Sequence, residues 1–438
     1  MKRIFLVFVP LLFLASACTE DLASLNVETK KPAAIPAPTL FSNAVKSLAG
    51  NLATASVNTN VFRFTTSQWA MAVYQDEAQY DFQTRAIPNT WWNGMYRDVL
   101  ADLRESSRLI NADAALLPKE KANKLAILDI MEVYTFGILV NSFGNIPYTE
   151  ALNAAKLFPK YDDAKTVSAD LLARLNNDIS KLDASGAGFT ASEDVVYKGS
   201  VAKWAKFANT LRLKIALRCR RNLGALADAE IRDVMSNEAT LIGSEKETAK
   251  VAYENVIGNE NPYYKTYIRS NFTSFFPRMS DMMFMYLRSY KDPRIDYYFD
   301  SVKLANRYRI TDTVSSTIND SLYIVTYPMP HYGIAKSKVL LPGWTPQLTG
   351  GVDPQLASAN NGGINGVSAY SMFSLNILNN PTRPLIVLSF AEAQFLKAQA
   401  KIQNLGGNQT AENYYNSGID ANFAFWGIPA TLRDKYKA

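Results

Sequence analysis

Apolar side chains recur along this chain at spacings of three and four, a period that commits most of it to amphipathic helices. Trp92, Tyr96, Val99 and Leu103 mark one face of a helix expected over about residues 88–111, with Thr90 as its cap. Pro118 opens a second helix, because a proline in the first turn gives up no hydrogen bond. Its stripe is Ile127, Ile130 or Met131, Tyr134 and Ile138, and Phe143-Gly144 ends it, Gly144 being expected as a left-handed cap. Val167, Leu171, Leu175, Ile179 and Leu182 make a third stripe; Val201, Trp204, Phe207 or Ala208, Leu211 and Ile215 make a fourth. Phe390 to Ile402 and Ala411 to Phe425 form a late pair joined by Gly406-Gly407. Helix pairs with short glycine turns predict a mostly α fold of helical-repeat type, although no strict repeat of about 34 residues is present.

The amino terminus reads as an export signal. Lys2 and Arg3 precede an apolar run from Ile4 to Ala17, shorter than the ~20 residues that a spanning helix needs. The run ends Leu14-Ala15-Ser16-Ala17-Cys18, small residues before a cysteine, as in a bacterial lipoprotein cleaved to leave Cys18 as the acylated first residue. The usual motif has leucine three before the cysteine, where this chain has Ala15. An ordinary signal cut at the same bond would leave Cys18 free. No second apolar run is read as a span, so the mature protein is expected to be anchored or soluble. Cys219 is then its only remaining thiol, and stability rests on packing rather than disulfides.

Composition closes further doors. The single histidine, His331, and two cysteines exclude a multi-histidine metal site and a CxxC redox centre. His331 sits in a proline-rich turn, where a structural hydrogen bond is expected rather than base catalysis. Net charge is +6, and +4 without Lys2 and Arg3, too mild for nucleic-acid binding. The densest basic stretch, Arg212, Lys214, Arg218, Arg220 and Arg221, is expected as a solvated helix end. Asp98, Asp102 and Glu105 fall on the polar face of their helix, not on opposite sides of a scissile glycosidic bond. Gly350-Gly351 and Gly362-Gly363 lack the lysine of a phosphate loop. Nothing fixes a calcium spacing among Asp353, Asn360 and Asn361, and no cofactor is expected.

From about residue 255 to 380 the helical signature thins, while Tyr, Asn, Gly and Pro become dense. Tyr263, Tyr264, Tyr267, Phe272, Phe275 and Phe276 crowd together, Ser321 to Tyr327 reads as a strand, and Gly343 to Gly366 is a long loop. Long loops inside a domain are where a ligand is expected.

Five segments together resemble one family. They are Cys18-Thr-Glu-Asp-Leu with Leu25-Asn26-Val27; AILDIMEVYTFGILVNSFGNIPYTEA from Ala126; DVVYKGSVAKWAKFANTLRLKIALR from Asp194; Lys291-Asp292-Pro293-Arg294; and the stretch from Leu388 to Ala400. In this order they are similar to the SusD/RagB-like nutrient-binding outer-membrane lipoproteins, with Asn141 where Asp is usual and Lys214 in place of an Arg. The resemblance implies tetratricopeptide-like helix pairs packing a loop-rich ligand-binding part with minor β. It also implies a surface lipoprotein that lids a SusC-like TonB-dependent transporter, Glu20-Asp21 resembling its surface-export signal. Family members continue past the segment at Ala411 to Phe425 into further loops and a last helical segment. Either the sequence is truncated or this member is short.

The expected organisation is a signal over 1–17, a tether over 18–40 and a nutrient-binding domain over 41–438. Sugar rings sit on Trp and Tyr faces, and the aromatics off the helical stripes are Trp69, Tyr74, Tyr80, Trp344 and Tyr370, the candidate ligand contacts. The expected function is capture of an oligosaccharide without turnover. Peptide capture by the same architecture and an envelope scaffold without a small ligand are the alternatives.

Overall fold

The computed structural model describes residues 35–54, 56, 60–71, 80–270, 277–299, 312–315, 322–325 and 373–437. Cys18, Tyr74, His331, Trp344, Tyr370, Asp353, Asn360 and Asn361 lie outside the described residues. Eight helices carry the scaffold: α1 Ala37–Ala53; α2, which runs Ile87–Met95, through a π turn at Tyr96–Leu100, and on through Ala101–Ala112; α3 Pro118–Phe143; α4 Ala164–Lys181; α5 Val201–Leu223; α6 Ala225–Ser236; α7 Phe390–Ile402; and α8 Ala411–Phe425. Neighbours in this series pack together, α1 on α2, α3 on α4, α4 on α5, α5 on α6 and α7 on α8, with α7 returning onto α5. The fold is mostly α, built from stacked helix pairs.

Among the described residues four antiparallel ladders of two strands form: β1 Trp69–Met71 with β5 Pro277–Met279, β2 Ile146–Pro147 with β3 Tyr161–Asp162, β4 Ala249–Val251 with β8 Leu385–Leu388, and β6 Asp312–Ser315 with β7 Leu322–Val325. The strand expected at Ser321 to Tyr327 is thus present as β7.

The stripes bury as their period requires, with instructive departures. Of the stripe read for α2, Tyr96, Val99 and Leu103 are buried and Trp92 is half-buried, while Trp91, Met95 and Leu100 are buried beside them. The π turn inserts an extra residue into that helix, and the buried face widens there to take in Leu100 beside Val99. Thr90 does not cap α2: the chain enters through Ala86 in the left-handed region, and the Thr90 hydroxyl, already inside the first turn, donates to the Ala86 carbonyl at 3.4 Å. Gly144 does end α3, with its N–H on the Val140 carbonyl at 2.9 Å, but at φ 74° and ψ −116° it is outside the left-handed helical well and in territory that side chains disfavour. By length and apolar content α3 could cross a membrane, contrary to the expectation that no second run qualified. Here it is a core helix, and Ile127, Met131, Tyr134 and Phe136 are buried in the main cluster.

Polar groups within that core join α3 to α4. Arg174 of α4 grips Asp129 of α3 through two nitrogens, lies 3.1 Å from Glu132, and donates to the Tyr148 hydroxyl at 2.8 Å. Asp178, one turn further on and 2% exposed, has a carboxyl oxygen with no hydrogen-bond partner. Burial, and then the neighbouring Asp129 carboxylate, push the Asp178 carboxyl up to about 9. Asp178 therefore keeps its proton when folded and shares it with Asp129, whose negative charge Arg174 holds.

An unfolded Asp releases that proton near pH 4. Between about pH 4 and 9 the folded state binds a proton that the unfolded state has lost. This contribution to stability is complete below pH 4 and declines as pH rises toward 9. Urea midpoints across pH 5 to 8 are expected to fall less steeply in Asp178→Asn than in the wild type. Parallel curves would show that Asp178 is ionised in the folded chain.

Candidate functional site

A cavity of about 270 Å³ opens where the helical stack meets the loop-rich part. One wall is Trp69 of β1, held by the β1–β5 ladder and buried to 8% exposure. The Ser280 hydroxyl, at the end of β5, donates to the Ser67 carbonyl and so fixes the approach to Trp69. Phe373 lies 4.8 Å from Trp69 between ring centres, and Tyr263 meets Trp69 edge-on at 6.3 Å. Phe299 stacks on Phe373 at 5.6 Å, the two residues forming an isolated bridge. On the opposite side Trp426, which ends α8, meets Tyr298 at 4.5 Å.

Each ring arrives from a different part of the chain, so the joints matter. Asn261, 3% exposed, is one of them. Its side-chain oxygen accepts from the Tyr263 N–H at 2.9 Å, its amide donates to the Arg383 carbonyl at 2.8 Å, and its own N–H donates to the Pro381 carbonyl at 2.8 Å. The Tyr263 turn and the segment entering β8 are thereby locked together.

Two guanidinium groups complete the lining. Arg63 lies 4.6 Å over the Trp69 ring and donates to the carbonyls of Leu52 and Thr54 at the end of α1, at 2.7 and 2.9 Å. Arg383 lies 4.5 Å over the Trp426 ring. Burial pushes the Arg383 guanidinium below its ordinary value and the Tyr298 phenol up to about 12, so both phenols facing the cavity, Tyr263 and Tyr298, stay neutral hydrogen-bonding groups at physiological pH. Apolar ring faces beside a few polar donors suit a ligand with both a hydrophobic face and hydroxyl or charged groups.

Of the candidate contacts, the structure brings Trp69 to this cavity. Tyr80 does not line it; it is exposed, at φ 64°, with its hydroxyl 3.4 Å from the Thr65 carbonyl. Trp426, Arg383, Phe373 and Tyr298 escaped the sequence reading. Tyr263 belonged to the aromatic crowd already noted after residue 255.

The basic stretch of α5 is exposed, as expected, at Arg218 and Arg221, and departs from the expectation of a solvated end at its other three members. Arg212 is 8% exposed and pairs with Glu230 and, at 2.7 Å, with Asp233 of α6; Lys214 reaches Glu392 of α7 at 2.7 Å; Arg220 meets Asp228 at 2.5 Å. These cations tie helices together. Asp98 and Glu105 are exposed and engaged by Arg97 and Arg108, and Asp102 accepts from Asn43 at 2.7 Å, as the polar-face reading expected.

The segments carrying the family resemblance prove to be joints as well. Asp194 accepts hydrogen bonds from the backbone of Val196, Tyr197 and Gly199 and from the Trp204 indole, all at 2.9–3.0 Å. Gly199 sits at φ 87°, and a side chain there would meet the Phe189 carbonyl at 2.7 Å. Arg294 binds Asp292 and reaches Asn422 of α8 at 2.8 Å.

A family model described as SusD-like, starch-binding associating with outer membrane, matches residues 29–327 and 355–437. The chain belongs to the SusD-like family. Among solved structures, a SusD-like protein of Bacteroidetes AC2a superposes with a TM-score of 0.69 at 20% identity, over 92% of this chain and 81% of that one. A chitin-binding SusD homolog from Flavobacterium johnsoniae gives 0.65 at 19% identity, over 90% and 72%. A SusD-like protein from Bacteroides thetaiotaomicron gives 0.65 at 20%, over 92% and 72%. Comparison with curated proteins gave no match. At these identities the SusD-like structures speak for the fold alone.

Proposed function

We propose that this SusD-like protein is anchored through Cys18 to the outer membrane, faces the exterior, and captures an oligosaccharide for delivery to a SusC-like TonB-dependent transporter. It binds and releases; it does no chemistry on the sugar. The observation that carries the reading is the aromatic cavity at the head of a SusD-like helical stack, with Trp69 as one wall and Trp426 as the other. A sugar ring has apolar C–H faces that pack against such rings, and its hydroxyls find the phenols of Tyr263 and Tyr298 and the amide of Gln68. The family description, starch-binding associating with outer membrane, supports both the ligand class and the location.

Calorimetry of the mature protein against a panel of glycans and peptides, with product analysis of each mixture, tests the ligand. Saturable glycan binding without product is expected. Peptide binding alone, or turnover of any panel member, would end the reading. Purification from outer membranes is expected to bring a TonB-dependent barrel with the lipidated chain; recovery of unlipidated chain from the periplasm would refute the location.

A further inference from the structure

We infer that the cavity is built for an acidic sugar, with the Arg383 guanidinium receiving the sugar's carboxylate. The inference rests on the proposed capture of a saccharide and narrows it. Its basis is a charge imbalance. The described lining of the cavity holds two arginines, Arg63 and Arg383, and no carboxylate.

The two cations differ in how their donors are used. Arg63 spends nitrogens on the carbonyl end of α1, where a cation is at home, and so contributes mainly positive potential. Arg383 is half-buried, with its guanidinium against the Trp426 face and 5.9 Å from the Phe425 ring. Among the described residues no carboxylate and no hydrogen-bond acceptor engages its side chain. The other buried arginines of the fold are treated differently: Arg174, Arg212 and Arg294 each hold a carboxylate. Burial lowers the pKa of Arg383, whereas Arg294, also buried, is held up by Asp292.

An arginine cannot shed its charge to escape this position. A half-buried cation without a partner is a standing cost, relieved when an anion arrives. With one face on Trp426, the in-plane N–H groups remain available, and they match a carboxylate in a two-bond fork. Trp69, across the cavity, would meet the apolar face of the same sugar. A neutral ring of equal shape would fill the space and leave Arg383 further desolvated.

The test uses matched pairs on the mature protein: trigalacturonate against galactotriose, sialyllactose against lactose, and cellobiouronate against cellobiose, with affinities from calorimetry. In at least one pair the acidic member is expected to bind about tenfold or more tightly, an advantage that shrinks with added salt. Arg383→Gln should bring that ratio to within about twofold, whatever it does to the neutral member's affinity, since the charged fork is removed. If Arg383→Gln does not fold, Arg383→Lys decides: it keeps the charge and loses the fork, so the ratio should fall at least about threefold. Neutral members binding as tightly as acidic ones would overturn the inference and leave saccharide capture standing. So would a preference that survives loss of Arg383. Binding of no member of any pair would remove both.

Discussion

Asp194→Ala is expected to cost the folded state about 4 kcal/mol. The carboxylate is fully buried and accepts four N–H groups at once, three from the turn that enters α5 and one from Trp204. Removing it leaves four donors in a site that excludes water, and each unsatisfied donor costs about 1–3 kcal/mol before relaxation. Trp204 is itself fully buried, edge-on to Tyr197 at 5.2 Å and Phe207 at 5.4 Å, so its indole has nowhere else to turn.

Urea denaturation followed by circular dichroism gives the number. A loss under about 1 kcal/mol would mean that water enters and replaces the carboxylate. Trp204→Phe removes only one donor and should be milder. The double variant should lose less than the two single losses combined, because both changes break the same network.

Trp69→Ala is expected to weaken saccharide binding roughly thirtyfold, about 2 kcal/mol, by deleting one wall of the cavity. The ring is fixed from several sides: Phe64 edge-on at 5.8 Å, Phe373 at 4.8 Å and the Arg63 guanidinium at 4.6 Å. Its loss takes away the ring that a sugar packs on and also the support for Arg63. Trp69→Phe keeps an aromatic face and should stay within about threefold of the wild type. Calorimetry with the best glycan of the panel checks both variants, and a melting curve confirms that each is folded. Unchanged affinity in Trp69→Ala would place the sugar elsewhere.

Much of the scaffold was legible before any coordinates, for a local reason. Helical period and end signals are written within a dozen neighbouring residues. Phe390–Ile402 and Ala411–Phe425 were anticipated to the residue, since Ser389 and Thr410 cap their starts, each accepting from an N–H three residues on. Between them Gly406 and Gly407 sit at φ 116° and 102° against Met235, space and geometry that other residues lack. Thr90 misled because capping depends on where the chain enters, and the left-handed Ala86 turn lies outside any short pattern. The stripe of α2 held at Tyr96, Val99 and Leu103, while the π turn between Tyr96 and Leu100 had no signal in the spacing.

The site was far less legible. Trp69 could be singled out because it stands off every helical stripe. Trp426 sits at the end of a helix, Arg383 beside Pro384, and Phe373 far from both; no spacing connects them. They meet because the β1–β5 and β4–β8 ladders and the Asn261 joint fold distant loops onto one another. Arg212 and Lys214 of α5 were misread for the same reason: their partners Glu230 and Glu392 lie on other helices, and charge alone does not say whether a cation meets water or an acid.

By itself the order of amino acids settled helix type and the ends of the late helix pair, because hydrogen bonding and side-chain period within a helix act over a few residues. Tertiary structure alone decided which charges are neutralised and which rings face one another. Those outcomes depend on contacts between segments hundreds of positions apart, where burial removes the water that would otherwise make every pairing nearly equivalent.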